Sequence, residues 1–203
     1  IIIIEKMNQS TPISSLQAEE IIELEKSLIA YSGHDRIISS NEMREEIAKQ
    51  PKASYSFPTG LGRLDDAIGS IESGELIAIG GPTKNGKTLL AQTITANLSD
   101  RGYHCTWFSF EVPMRQFLTQ VENTVKFYLP KDLKQADTNW LRNRILESKL
   151  KYNTRIAFID NLHHLVDFTG IKNVSLDMGV VIRFLKRLAV EFNVAIVILC
   201  HSR

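Results

Sequence analysis

Cysteine is nearly missing from this sequence: Cys105 and Cys200 are the only two in 203 residues. Two thiols so far apart build neither a disulfide framework nor a zinc site, and they point to a reducing compartment. Long apolar runs are missing as well. The longest, around 194–200, has the length of a strand and falls far short of the roughly 18 residues that a membrane span needs, so a soluble chain is expected. Neither sign of charge is in excess, because 24 Lys and Arg stand against 23 Asp and Glu for a formal +1. That balance excludes a protein that holds nucleic acid by bulk electrostatics, and leaves room for one that grips it through a few placed loops. There is no internal repeat and no low-complexity segment. With 43% hydrophobic and 23% charged residues, disordered, collagen-like and mucin-like classes drop out. Ile1-Ile2-Ile3-Ile4 opens the chain without Met, and polar residues follow it instead of a signal core and cleavage site, so secretion is not expected. Both ends look cut, and the length suits one domain with an appended piece, or a fragment of something larger.

What is present divides near residue 56. In the first part, Ser14-Ser15-Leu16-Gln17 resembles a capping box. Leu16, Ile21, Ile22, Leu24, Leu28 and Ile29 then recur at helical spacing among glutamates. A second short helix is predicted from Ser39, with Glu42 three residues on, to about Lys49. Residues 50–58 hold Pro51 and Pro58 and read as a linker. This arm, residues 1–56 with its linker, is either a helical pair packed on the core or an arm that bridges subunits. From residue 57 to 203 strand-length apolar runs at 76–79, 105–110, 156–159 and 194–199 alternate with amphipathic helical stretches at 87–98, 113–127, 139–150 and 176–192. That alternation predicts an α/β core with a parallel sheet buried on both faces.

Gly81-Pro82-Thr83-Lys84-Asn85-Gly86-Lys87-Thr88 fits the phosphate-loop pattern at every required position. Its glycines let successive backbone N–H groups turn inward onto an anion. Lys87 supplies a point charge to the outer phosphates, and the Thr88 hydroxyl is a magnesium ligand. The flanking strand and helix are the context the motif needs. Asp160 ends the 156–159 strand, and strand C-termini form the ligand crevice of an open parallel sheet, so Asp160 is placed to hold magnesium through a water; a helix-cap or turn aspartate is the plainer alternative. Glu111, beyond the 105–110 strand, is either the acid that polarises an attacking water or a surface cap for the helix begun by Pro113. His201, ending the last strand, suits a sensor of the terminal phosphate, although strand position alone does not decide it. His34, His163 and His164 have no ligand constellation around them, and Cys200 beside His201 lacks two further ligands.

Taken in order, 59–69 (Thr-Gly-Leu-Gly-Arg-Leu-Asp-Asp-Ala-Ile-Gly), Gly74-Glu75-Leu76, the phosphate loop, Ser109-Phe110-Glu111, Ile159-Asp160-Asn161-Leu162 and Leu199-Cys200-His201-Ser202-Arg203 resemble the RecA-like motor domain of DnaB-type replicative helicases. The branch that includes Twinkle and the phage helicase-primases is the most similar, with His at the end of the sensor strand. The resemblance covers about 57–203. It implies a RecA-like phosphate-loop NTPase core that hydrolyses ATP with Mg2+. In that core Lys87 and Thr88 bind phosphate and magnesium, Glu111 activates water, Asp160 holds the magnesium shell and His201 senses phosphate. It also implies a homo-oligomeric ring, usually six subunits, acting on single-stranded or forked DNA, with primase or other replisome proteins as possible partners. The expected location is the cytoplasm, a nucleoid or an organelle matrix, with no membrane.

The family continues past its sensor strand into the DNA loops and an arginine finger, so a C-terminally truncated core is expected and no residue here is assigned to either role. The basic run Arg142, Arg144, Lys149, Lys151 and Arg155 reads as a solvated helix face. Lys84 is an extra cation in the loop without a derived role. A RecA-, RadA- or KaiC-like ATPase acting in recombination or as a switch is the alternative activity. A non-catalytic nucleotide-binding scaffold or loader partner is a third reading, opposed by the intact set Lys87, Thr88, Glu111 and Asp160.

Overall fold

The computed structural model describes residues 15–49, 55–133, 137–161 and 174–201, with side chains from residues 20 and 178 onward in the first and last of these segments. Ile1-Ile2-Ile3-Ile4, Ser14, the 50–54 part of the linker, Leu162, His163, His164, Ser202 and Arg203 lie outside the described residues. The chain divides into two compact units, 1–52 and 53–203. Among the described residues no helix is long and apolar enough to cross a membrane.

The first unit contains helices α1 (Ser15–Ile29) and α2 (Ser40–Lys49). A reciprocal capping box starts α2. The Ser39 hydroxyl accepts from the Glu42 N–H at 3.2 Å, and Glu42 Oε2 accepts from the Ser39 N–H at 3.1 Å. Ile21, Ile22, Leu24, Leu28 and Ile29 are exposed along one arc of α1.

The second unit is a five-stranded sheet, β3 (Leu76–Gly81), β4 (Cys105–Ser109), β5 (Phe127–Tyr128), β6 (Ile156–Asp160) and β7 (Ala195–His201), ordered β3-β7-β6-β4-β5. Every pairing in it is parallel. Helix α4 (Lys87–Asp100) packs on one face, while α6 (Thr138–Tyr152) and α7 (Val174–Phe192) pack on the other. The period of two along each strand divides the core between the faces. Trp107, Ile156, Phe158, Ala195, Val197 and Leu199 join Ala91, Ile94 and Leu98 of α4. Phe108, Ala157, Ile159, Ile196 and Ile198 join Leu141, Ile145, Leu185 and Leu188 of α6 and α7. At the centre of the α4 face Trp107 stacks on Phe158 with centroids 4.8 Å apart, tilts against Phe117 and donates its indole N–H to Thr95 Oγ1 at 2.9 Å.

Two expectations are corrected. The helix predicted over 113–127 is only α5 (Met114–Thr119), and Phe127–Tyr128 forms the edge strand β5 instead. Residues 120–126 include Val121, Asn123, Thr124 and Val125, all weak helix formers. A turn from Glu122 O to Val125 N interrupts the segment, and Phe127 packs edge-on to Phe117. The linker reading also extended too far, since β1 (Ser56–Phe57) pairs antiparallel with β2 (Ile71–Glu72) and Phe57 is fully buried. Between them α3 (Gly62–Ile68) supplies Asp65, whose carboxylate accepts from the N–H groups of Thr59 and Gly60 and from the Thr59 hydroxyl.

The basic run is engaged within the chain. Arg142 pairs with Glu191, while Arg144 and Lys151 share Glu147. Lys149 donates to the Phe192 carbonyl, and the Arg155 guanidinium lies 4.4 Å from the centroid of the Tyr55 ring.

Candidate active site

Parallel pairing in register brings the strand ends together. Gly81 of β3 lies opposite His201 of β7, Leu199 of β7 opposite Asp160 of β6, and Asp160 opposite Ser109 of β4. The polar residues that follow these apolar strands therefore converge at one edge of the sheet, where ligands bind open α/β sheets.

The phosphate loop leaves β3 and enters α4 through two left-handed residues, Lys84 at φ 65° and Gly86 at φ 74°. Gly86 is the N-cap of α4 and adopts that conformation without steric cost, while Lys84 holds it with a full side chain. Alternating hands turn successive N–H groups toward a common centre, an anion-binding concavity at the positive end of a helix. Lys87 is buried, and its ammonium folds back to donate to the carbonyls of Gly81 and Pro82 at 2.9 and 2.8 Å. The charge is thus held at the mouth of the loop, ready to exchange two neutral acceptors for phosphate oxygens.

Thr88 Oγ1 donates to Asp160 Oδ2 at 2.8 Å. Asp160 is buried, and burial pushes its carboxyl above the ordinary value; the Thr88 hydrogen bond opposes this and the nearby Glu111 charge adds to it. A buried carboxylate beside a hydroxyl is a pair of hard oxygen donors that a divalent cation stabilises. No group of three or more His, Cys, Asp or Glu able to hold a metal occurs among the described residues. A set this sparse fits magnesium, which keeps waters and phosphate oxygens in its shell instead of an all-protein cage.

Glu111 stands two residues beyond β4. Its Oε2 accepts from Asn161 Nδ2 at 2.9 Å and lies 3.0 Å from His201 Nε2. Burial alone pushes its carboxyl up, but hydrogen bonds from His201 and Asn161, helped by the charges of His201 and Lys87, outweigh burial and leave it below the usual carboxylate range. The acid is therefore ionised near neutrality and able to accept a proton. The loop and this acid border one cavity of about 680 Å3, lined by Thr83, Lys84, Asn85, Gly86, Lys87, Thr88, Glu111 and His201, with Gln92 and Gln120 also on its wall.

Every residue assigned to the site from the sequence thus falls on one constellation, with Asp160 joined to it through Thr88 and Gly81 and Pro82 through Lys87. Asn161 was not assigned a role from sequence, though its place directly after a strand-ending acid was the available signal. Gln92, buried one turn beyond Thr88 on α4, was missed as well.

Compared with known proteins, the chain is similar to a solved ATPase domain of a DnaB-like helicase, with TM-score 0.63 and 18% identity over 80% of this chain and 70% of that one. It is similar also to a DnaB-like replicative helicase described with its interactions with primase, with TM-score 0.66 and 18% identity over 91% of this chain. The chain has the RecA-like fold of DnaB-like helicase ATPase domains. It spans 52% of the length of that replicative helicase chain. No protein-family model and no curated protein matches the sequence.

Proposed function

We propose that this chain is the ATP-hydrolysing motor of a ring-forming replicative DNA helicase, which uses ATP turnover to move along single-stranded DNA and open duplex. The observation that carries this reading is the single cavity that gathers the phosphate loop, Glu111 and His201, with Asp160 held to Thr88 beside it. The RecA-like fold shared with helicase ATPase domains supports it.

In the proposed reaction the loop N–H groups and Lys87 bind the β- and γ-phosphates of ATP. Thr88 and Asp160 hold Mg2+, which when bound neutralises charge on the phosphate oxygens. Glu111 orients a water in line with the γ-phosphorus and takes its proton as the new P–O bond forms and the bond to the β-phosphate oxygen breaks, leaving ADP and inorganic phosphate. His201 hydrogen-bonds the terminal phosphate and shifts when it leaves. In a ring the site is completed by an arginine of the neighbouring subunit, and the exposed apolar arc of α1 is the surface assigned to that neighbour. Primase and other replisome proteins are the proposed further partners, in a cytoplasmic, nucleoid or organelle-matrix setting.

The Glu111→Gln variant tests this. It should bind ATP as the unaltered protein does and hydrolyse it about a hundred- to ten-thousandfold more slowly. Full retained turnover would remove Glu111 from the reaction.

A further inference from the structure

Two donors meet on one oxygen of Glu111 and none on the other. Oε2 is held by Asn161 at 2.9 Å and by His201 at 3.0 Å, whereas Oε1 accepts no hydrogen bond among the described residues. A carboxylate only accepts, so His201 presents an Nε2–H to it. The backbone ties the same segment down, because the N–H groups of Phe110 and Glu111 both donate to the Asp160 carbonyl, at 2.6 and 3.3 Å, one peptide before Asn161. The two donors differ in freedom. Asn161 is 4% exposed and sits at the end of a fully buried strand, while the His201 side chain is 25% exposed and borders the phosphate cavity.

We propose that Asn161 is a positioning residue for the water-activating acid. It holds Oε2 so that Oε1 faces the cavity, and it keeps that orientation while His201 moves between Glu111 and the terminal phosphate. With His201 as the sole holder, each sensing event would release the acid at the moment it has to act. A second, buried donor separates the two tasks: the histidine reports the phosphate while the amide keeps the acid aimed. The inference rests on the reading of Glu111 as the acid that activates water.

The test measures ATP turnover and nucleotide binding by the full-length protein carrying Asn161→Leu or, as a near-isosteric second variant, Asn161→Asp, each also combined with Glu111→Gln. Both substitutions remove the amide donor. The expected result is a kcat lower by at least about tenfold, with KM for ATP and affinity for a fluorescent ATP analogue within about threefold of the unaltered protein. In the Glu111→Gln background the same substitutions should cause no further loss, since the residue acts through the acid. Unaltered kcat in both variants would overturn the proposal, as would an equal additional loss in the Glu111→Gln background or a parallel loss of nucleotide affinity. If the unaltered protein itself fails to turn over ATP, the reading of Glu111 falls, and the proposal with it.

Discussion

Lys87 carries the largest share of the phosphate chemistry. Its ammonium is buried and satisfied only by two neutral carbonyls, so phosphate oxygens are the better partners when they arrive. Lys87→Ala should lower ATP affinity about ten- to hundredfold with the fold intact, measured by isothermal titration alongside thermal melting. Burial also pushes the Cys105 thiol up to about 12, which leaves essentially no thiolate at pH 8. Cys105 should therefore resist a thiol reagent at pH 8 in the folded protein and react only after denaturation, as cysteine-resolved mass spectrometry would show. The sequence alone marked Lys87, Thr88 and Asp160, because a glycine-rich turn between strand and helix and an acid at a buried strand end each have a backbone reason to be where they are. Glu111 and His201 needed the resemblance, since an acid or histidine after a strand is as often a cap. Asn161 escaped notice because asparagine after a strand normally means a turn, and its contact with Glu111 spans 50 positions.

At the scale of elements, the Trp107 cluster locks α4 to the sheet that carries the site. Trp107 is fully buried, stacked on Phe158 and bonded to Thr95 of the phosphate-loop helix. Trp107→Ala should cost about 3–5 kcal/mol in denaturant unfolding, and it should weaken nucleotide binding through the loosened helix. The four long strands and their helices were legible because continuous apolar runs of strand length between helical stretches fit only a sheet covered on both faces. The strand β5 was not, being two residues long at an edge, where pairing with Cys105 and Thr106 decides the outcome and local pattern does not. The same holds for β1, whose Phe57 is fixed by a partner fourteen positions away.

For the whole molecule, a net charge of +1 suits a motor whose grip on a polyanion is confined to a few loops of an assembled ring. The even charge balance that excludes a polybasic binder thus leaves a motor of this kind open. The basic residues of α6 are engaged within the chain, which leaves the strand-end cavity as the centre of chemistry. A motor couples its turnover to its track, and a nucleotide-switched scaffold does not. The deciding measurement is ATP hydrolysis by the full-length protein with and without single-stranded DNA, read together with strand separation of a forked duplex. The expected result is DNA-stimulated turnover with ATP-dependent unwinding; turnover indifferent to DNA, with the fork left intact, would contradict the helicase reading.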